Sequence, residues 1–282
     1  MKRTLISVFA LFLAVTVFAQ ENTLLWKISG KGLKKESYLF GTLHMACADD
    51  FKMEDKVKVA AGKVDGLVVE VDLENPNNLA TIQNLMTPNP DFFKDFDPKK
   101  KALIDSVMKS KSLPVEIFDQ VPPVVVLSLL TMQSFACSDP TNIKMMEMEL
   151  KKLAELKDKP VAELETPEFQ INLLNSLFGA EDLYNYLKDS DSQVATTKKL
   201  VAAYFSENIK DIEKLSEEMD YLSPEGHDKL LKERNNAWME KLPTLLKEKP
   251  LLVAVGAAHL VGEKGLIKLL KKQGYKVTPV LD

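Results

Sequence analysis

Two short apolar runs, one near each end of the chain, lead into the same four-residue pattern. Residues 251–255 are all aliphatic and continue into Gly-Ala-Ala-His259, and residues 37–40 continue into Gly-Thr-Leu-His44. A short apolar run bounded by glycine is typical of a buried strand. Open sheets commonly bind ligands at the ends of their strands. We therefore interpret His44 and His259 as two halves of one site, with the intervening chain folded around it.

Other strand patterns also lie mainly toward the chain ends, at residues 24–28, 38–41, 67–73, 160–165 and 275–280. From residue 75 to about residue 250 the pattern is mostly helical, with start signals at Asp97-Pro98, Thr166-Pro167 and Ser223-Pro224. This layout predicts an α/β or α+β fold in which both chain ends form a central mixed β-sheet with a large helical insertion. Residues 20–282 are expected to form one domain.

Four further helices are predicted, over residues 52–63, 122–136, 142–156 and 263–273. Asp49 and Asp50 are expected to cap the first of these. The second is apolar on nearly all sides, which is typical of a buried helix. His227 falls in the first turn after Ser223-Pro224, where we expect it to be a solvated surface residue.

The strand predicted at residues 67–73 has one wholly apolar face, whereas its other face carries Glu70 and Asp72. Burying carboxylates without partners is unfavourable, so two interpretations remain open. The segment is an edge strand with one solvated face, or Glu70, with or without Asp72, faces the two histidines.

The first residues have the pattern of a secretory signal peptide. Lys2 and Arg3 precede an apolar run over residues 5–18, and Val17-Phe18-Ala19 provides small residues before Gln20. Cleavage after Ala19 is therefore expected, with an exported, periplasmic or secreted product that has no membrane span. The alternative is an uncleaved anchor, although the run is shorter than the ~20 apolar residues that a span needs.

Charge and cysteine content narrow the functional classes. The net charge of −4 becomes −6 without Lys2 and Arg3, which argues against nonspecific nucleic-acid binding. Two cysteines in an exported chain favour a Cys47–Cys137 disulfide over two buried free thiols. No Cys-x-x-Cys motif is present, which argues against thioredoxin-like or zinc–cysteine chemistry.

Two imidazoles and a carboxylate are a common set of metal ligands. We therefore predict that His44, Glu70 and His259 bind one divalent transition metal: manganese, cobalt, iron or zinc. The sequence has no Gly-x-Ser-x-Gly elbow, P-loop or dinucleotide-binding glycine cluster. With only three histidines in the chain, a metal site fits better than a Ser-His triad.

Two further polar positions stand out. Glu165 lies where a predicted strand meets a helix start, so its carboxylate is stabilised there, with simple helix capping as the alternative. Arg234 and Asn235 interrupt an otherwise apolar helical stripe that includes Trp238, which indicates a buried partner.

Together these segments resemble the TraB/GumN family over the whole chain after residue 19. The matching motifs are Leu-Phe-Gly-Thr-Leu-His44, Val-Glu70-Val-Asp72, Glu-Leu-Glu165-Thr with Gln170, Arg234-Asn235 with Trp238, and Gly-Ala-Ala-His259-Leu with Gly262 and Gly265. That family is similar to the Tiki metalloproteases and more distantly to ChaN-like haem-binding proteins and erythromycin esterases. Glu163 departs from the pattern, which usually has glycine there.

The resemblance implies a shared α/β sandwich-like core and a site built from both Gly-x-x-His motifs, with Glu165, Arg234 and Asn235 lining it. It implies an exported metal-dependent hydrolase that acts on peptides or proteins. In that mechanism Glu165 or Asp72 is the expected general base, and Arg234 is expected to stabilise the oxyanion. The alternatives are a non-catalytic haem- or metal-binding protein and a pseudoenzyme that acts through protein interactions.

Overall fold

A computed structural model describes residues 22–85, 90–111, 113–139, 141–153, 156, 158–218 and 222–281. The predicted signal peptide, its cleavage site and the anchor alternative lie outside these residues. Within the described ranges, no helix has the length and apolar character needed to cross a bilayer.

Within the described residues, the strands of the central mixed sheet are β1 Leu25–Ser29, β2 Ser37–Thr42, β4 Leu67–Val69, β6 Val161–Glu163, β7 Leu252–Gly256 and β8 Lys276–Pro279. Across the sheet these six strands follow the order β6-β4-β7-β2-β1-β8. A separate two-stranded sheet pairs β3 (Met45–Cys47) with β5 (Ile143–Met145). Strands from both chain ends thus build one sheet, which confirms the predicted fold class.

The helices lie mostly between β4 and β7. They are α1 Asp55–Gly62, α2 Pro76–Leu85, α3 Pro98–Ser110, α4 Val115–Phe118, α5 Pro123–Ser134, α6 Met146–Lys151, α7 Pro167–Leu177, α8 Ala180–Lys188, α9 Ser190–Phe205, α10 Ile209–Glu217, α11 Pro224–His227, α12 Arg234–Glu248 and α13 Leu266–Lys272. A π-helical turn at Asp228–Glu233 joins α11 to α12, and 3₁₀ turns lie at Pro90–Phe93 and Ala257–His259.

Both faces of the sheet are buried. One face packs its apolar side chains, such as Leu67 and Ala254, against Val57 and Ala60 of α1. The other face packs Val68 and Val253 against α12 and α13. Helices α3, α4, α5 and α8 form a further apolar cluster of their own. Near-continuous apolar strands are expected where a parallel sheet is covered on both sides.

The edge-strand interpretation of residues 67–73 is wrong. Strand β4 pairs with both β6 and β7, and its three residues are buried on both faces. It ends at Val69, because the chain bends at Glu70. The alternation of apolar and polar residues after Val69 therefore does not belong to a strand, and Leu73 is exposed.

Four strands end at the same edge of the sheet. β2 and β7 pair in parallel with Thr42 opposite Gly256, and β7, β4 and β6 also run parallel. The two Gly-x-x-His motifs therefore leave the sheet side by side. The segments that follow β4 and β6 emerge next to them.

Helix starts agree with the sequence where a cap precedes proline. Asp97, Thr166 and Ser223 each accept a backbone hydrogen bond as the N-cap of α3, α7 and α11. The single helix predicted over residues 142–156 is wrong, because residues 143–145 form β5 and α6 ends at Lys151. Helix α1 begins at Asp55 rather than beside Asp49 and Asp50.

Cys47 and Cys137 form the predicted disulfide, with the sulfur atoms 2.07 Å apart. The bridge joins the end of β3, which follows His44, to the segment after α5. It therefore ties the first histidine motif to the helical insertion.

Candidate functional site

The carboxyl ends of the four parallel strands supply a cluster of buried polar side chains. His44 follows β2, Glu70 follows β4, Glu165 follows β6, and His259 ends the 3₁₀ turn that follows β7. Glu70, Glu165 and His259 are almost fully buried. The parallel register thus brings together residues separated by more than two hundred positions in the chain.

Gly256 is the point around which three of these side chains gather. A Cβ atom built on Gly256 would lie 3.3 Å from His44 Nε2, 3.4 Å from Glu70 Oε1 and 3.6 Å from His259 Cδ2. Its backbone N–H donates to Glu70 Oε1 at 2.8 Å. A side chain here would occupy the space in which both histidines and Glu70 meet.

Gly41 has a complementary packing role. Its hypothetical Cβ would lie 3.0 Å from the Cα of Ala257 and 3.0 Å from Leu260 Cδ2. Because Gly41 has no side chain, the turn at Ala257 can pack directly against it. Gly256 in the same way leaves space for the side chain of His44. This close approach explains why glycine occupies both positions.

His44 stands at the mouth of the site, where 56% of its side chain is exposed. Its Nδ1 donates to Glu147 Oε1 at 3.0 Å, and Thr42 Oγ1 donates to the same oxygen at 2.7 Å. Desolvation opposes the charged imidazole, but the charge of Glu147 and this hydrogen bond outweigh it and raise the pKa of His44 to about 9. Nε2 of His44 is left on the side of Gly256.

His259 is held in the opposite electrostatic state. Arg234 Nη1 donates to its Nε2 at 3.1 Å, so Nδ1 carries the proton and donates to Asn235 Oδ1 at 2.8 Å. Burial and the positive charge of Arg234 lower the pKa of His259 to about 3, despite the opposing effect of Glu70. Near neutral pH this ring is therefore an uncharged imidazole.

Arg234 links the two buried acids. Nε and Nη2 donate to the two carboxylate oxygens of Glu165 at 2.7 and 3.0 Å, and Nη2 also donates to Glu70 Oε2 at 2.6 Å. Nη1 additionally donates to the carbonyl oxygen of Leu230 at 3.1 Å. Arg234 therefore has buried partners, as its position in an otherwise apolar helical stripe predicted.

Two neighbours on α12 fix this group further. Trp238 Nε1 donates to Glu165 Oε1 at 2.7 Å, and its ring lies 4.3 Å from the ring of His259. Asn235 Nδ2 donates to the carbonyl oxygens of His259 and Lys264, which orients its Oδ1 toward the histidine ring. Both oxygens of Glu165 accept hydrogen bonds from Arg234 or Trp238. Glu165 therefore positions the Arg234 side chain.

Glu70 carries a negative charge at the centre of the cluster. Burial would raise its pKa, but the rings of His259 and His44, both protonated in the acid range where Glu70 titrates, lower the pKa to about 2 together with the charge of Arg234 and the N–H of Gly256. Gln170 Nε2, 3.3 Å from Glu70 Oε2, adds a further donor from α7. The interpretation in which Glu70 faces the histidines therefore matches the structure.

A cavity of about 480 Å³ opens above these polar groups. His44, Glu70, Arg234 and His259 lie in its lining, together with apolar side chains from α7, α9 and the π-helical turn. That turn ends directly before Arg234 and contains Leu230, whose carbonyl binds the arginine. π-helical turns are frequent at functional sites.

Asp72 is not brought to this group. Its Oδ1 accepts from Lys151 Nζ at 2.7 Å, and the residue lines a separate small cavity. Glu163 is the residue that departs from the motif pattern. Its Oε1 accepts hydrogen bonds from the backbone N–H of Asp72 and from the side chain of Asn78. This contact holds Asp72 in place on the outer side of the chain bend.

Two residues of the site were not predicted from the sequence. Glu147 lies in α6 within the segment predicted as one long helix, so nothing in the pattern distinguished it from other surface acids. His227 was expected to be solvated, but it is half-buried in the cavity wall and its Nε2 lies 2.9 Å from the carbonyl oxygen of Ser216. The Ser223-Pro224 pattern predicted the start of the helix that contains His227, but it did not predict which face of that helix is buried.

The donor set matches a metal site in composition and in its supporting contacts. His44 Nε2, Glu70 and His259 Nε2 are the candidate ligands, and the other nitrogen of each ring is held by Glu147 or Asn235, as is usual for metal-binding histidines. Among the described residues, however, no group of three such side chains is already arranged to hold a metal ion. Arg234 occupies the lone pair of His259 Nε2, so a metal would have to displace this hydrogen bond.

The fold and the site define an α/β protein with a buried, charged site at the carboxyl edge of its parallel strands. The chain belongs to the TraB/PrgY/gumN family, whose sequence profile matches residues 24–279. This match confirms the resemblance drawn from the sequence motifs. Neither a search of curated proteins nor a search of solved structures returned a match.

Proposed function

We propose that this protein is an exported metal-dependent hydrolase that cleaves peptides or proteins. The observation that carries the proposal is the convergence of His44, Glu70 and His259 on Gly256. Two imidazoles and a carboxylate form a donor set that suits manganese, cobalt, iron or zinc. A divalent metal held by these residues would supply Lewis acidity toward the carbonyl of the bond to be cut.

The side chains around these ligands have separate roles in the proposal. Glu147 and Asn235 hold the Nδ1 protons of His44 and His259, which directs each Nε2 toward the site. Glu165 accepts hydrogen bonds from Arg234 with both carboxylate oxygens and so orients the guanidinium toward Glu70 and His259. A metal bound at His259 would displace the hydrogen bond from Arg234 Nη1, and this N–H would then be free to stabilise negative charge that develops on a carbonyl oxygen.

Export is part of the same proposal. A disulfide between Cys47 and Cys137 is compatible with an oxidising compartment. The signal-peptide pattern of residues 1–19 predicts the same destination.

One contact favours a second candidate, a protein that acts through binding alone. His259 Nε2 accepts a hydrogen bond from Arg234, so the ring is fully satisfied without a metal. A pseudoenzyme that has lost catalysis would keep this network for stability. Haem or metal binding without turnover is the remaining non-catalytic possibility.

Turnover after controlled metal loading tests the hydrolase proposal. The purified protein is stripped with a chelator, supplied separately with Mn²⁺, Co²⁺, Fe²⁺ or Zn²⁺, and incubated with a peptide library. Cleavage should require one of these ions and should be lost in His259→Ala but retained in His227→Ala, whose histidine lines the same cavity. The absence of cleavage with every ion would contradict the hydrolase proposal and favour the binding alternatives.

A further inference from the structure

The apolar wall of the cavity consists mainly of leucines that are only half-buried. Five of them come from three helical segments: Leu173 and Leu174 on α7, Leu200 on α9, and Leu230 and Leu231 on the π-helical turn. Leu43, after β2, also lines the cavity. Leucines in a packed core are normally covered, whereas a cluster that keeps part of its surface exposed marks a binding site. The wall and the charged cluster line the same cavity, so a bound molecule contacts both.

The charged groups in the cavity already have partners within the described structure. Glu70 binds Arg234, Glu147 binds His44, and His259 is satisfied by Arg234 and Asn235. The site nitrogen that these contacts leave over in the described residues is Nε2 of His44, which faces Gly256 and is a metal ligand in the proposed function, so it is not available to bind the terminus of a peptide. The cavity therefore favours an uncharged, apolar portion of a ligand over a charged chain end.

The volume of the cavity limits what this portion can be. At about 480 Å³ it lies within the range of small-ligand sites, ~300–1,000 Å³, so it accommodates a few residues and not a folded domain. The half-buried leucines provide an apolar surface that matches a bulky aliphatic or aromatic side chain in polarity, and the volume leaves room for the adjoining residues.

We propose that this leucine-lined cavity binds a large aliphatic or aromatic side chain of an internal peptide segment, next to the bond presented to His44, Glu70 and His259. The inference rests on the proposed function and adds its substrate class: sequences with leucine, phenylalanine or a similar residue beside the cleavage point. Recognition is by burial of apolar surface, since the charges in the cavity are engaged with each other.

Direct binding tests the proposal without requiring catalysis. The fluorescent dye 1-anilinonaphthalene-8-sulfonate is bound to the purified protein and displaced by pentapeptides that are blocked at both ends and differ only at the central residue. Peptides with central leucine or phenylalanine should displace the dye at concentrations ~10-fold or more below the alanine peptide, because even one methylene in an apolar pocket gives about that discrimination. Peptides with central aspartate or lysine should be weaker still.

Variants assign the effect to the leucine wall. Leu174→Asn and Leu200→Asn should remove most of the discrimination between leucine and alanine peptides. Leu103→Asn is the matched control, because Leu103 is 38% exposed on α3 and lies outside the cavity lining. Thermal melts confirm that each variant is folded, and Leu174→Trp provides a second variant that should narrow the cavity and shift the preference from phenylalanine to smaller side chains.

The outcomes separate this inference from the proposed function. Equal displacement by all peptides, or discrimination unchanged in Leu174→Asn and Leu200→Asn, overturns the pocket. If the protein discriminates between the peptides but cleaves none of them under any metal loading, the side-chain pocket is supported and the hydrolase proposal is contradicted. Cleavage that shows no preference for a bulky apolar residue retains the hydrolase and removes the pocket.

Discussion

The two histidines of the site are held in opposite charge states by their different surroundings. Glu147 favours the protonated ring of His44, whereas Arg234 and burial favour the neutral ring of His259. Both rings use Nδ1 to bind a fixed acceptor. The chemistry of the site therefore depends on residues that do not belong to either Gly-x-x-His motif.

Substituting Glu147→Gln should lower the pKa of His44 from about 9 toward its ordinary value of 6.5 in chelator-treated protein. The amide can still accept a hydrogen bond but carries no charge to stabilise the imidazolium. An NMR titration of the ring protons measures the change. Glu149→Gln is the control, because Glu149 lies on the same helix but pairs with Lys152 on the surface. An unchanged pKa in Glu147→Gln would show that Glu147 does not set the charge of His44.

Substituting Arg234→Ala should lower the free energy of unfolding by about 3–5 kcal/mol, because it leaves two buried carboxylates without their partner. The side chains of Arg234, Glu70 and Glu165 are only 6%, 6% and 3% exposed, so solvent cannot replace the lost contacts. Arg234→Lys should recover only part of the loss, since an ammonium group cannot form the two-pronged contact with Glu165. Urea unfolding measures both variants, with Lys268→Ala as a surface control. A loss in Arg234→Ala no larger than in the control would contradict a structural ion-pair network.

The sequence could identify the residues that lie at strand ends but not those whose role depends on tertiary contacts. The two Gly-x-x-His motifs predicted that His44 and His259 lie close together, whereas for Glu70 the alternation left open whether it faced solvent or the histidines. Asp72 shares the alternation with Glu70, yet the chain bends between them and directs Asp72 to Lys151. Glu147 belongs to a short helix whose position beside His44 is set by the pairing of β3 with β5, for which the sequence has no clear signal.

At the level of the elements, the parallel pairing of β2 with β7 forms the site. Thr42 lies opposite Gly256, so the two motifs begin within one residue of each other along the sheet edge. Strands and capped helices were predictable because each has local causes: apolar runs bounded by glycine, and Ser, Thr or Asp before proline. The segment from residue 142 to 156 was not, because its helical pattern competes with the pairing of residues 143–145 in a small sheet.

Removing the disulfide should destabilise the fold and loosen the first histidine motif. The bridge spans 90 residues of sequence, which corresponds to a nominal stabilisation of ~4 kcal/mol. The double variant Cys47→Ser with Cys137→Ser should therefore unfold at lower urea concentration than the oxidised wild type. Thiol titration of the denatured, unreduced wild type should detect none. Two reactive thiols per chain would contradict the bridge.

For the whole molecule, the opposed histidines predict a stability maximum near pH 6.5 in the metal-free protein. The pKa of His259 is lowered from 6.5 to about 3, so its contribution is present above pH 6.5 and is lost as the pH falls toward 3. The pKa of His44 is raised from 6.5 to about 9, so its contribution is present below pH 6.5 and is lost as the pH rises through 9. The pKa of Glu70 is lowered from 4.5 to about 2, so its contribution is present above pH 4.5 and is lost as the pH falls from 4.5 toward 2.

Urea unfolding of chelator-treated protein at a series of pH values measures this profile. His259→Asn should flatten the decline between pH 6.5 and 4.5, and Glu147→Gln should flatten the decline above pH 6.5. A wild-type stability that stays constant across both intervals would contradict the assigned charge states.

At this scale the sequence was sufficient for the fold class and the family, because both depend on motifs distributed over the whole chain. The apolar cavity was not predictable, because most of its leucines come from three separate helical segments whose relative placement only the tertiary structure defines. That residues 20–282 form one domain, and that the protein is exported, stay predictions.

The most direct test of the central claim is the metal content of the purified protein, measured by elemental mass spectrometry after loading with Mn²⁺, Co²⁺, Fe²⁺ or Zn²⁺ and removal of free ions. The proposal predicts one bound ion per chain in the wild type and in His227→Ala, and none in His44→Ala or His259→Ala at a pH where neutral imidazole is available. A folded wild-type protein that retains no metal under any loading condition, or that retains it equally in all three histidine variants, would contradict a metal site at His44, Glu70 and His259.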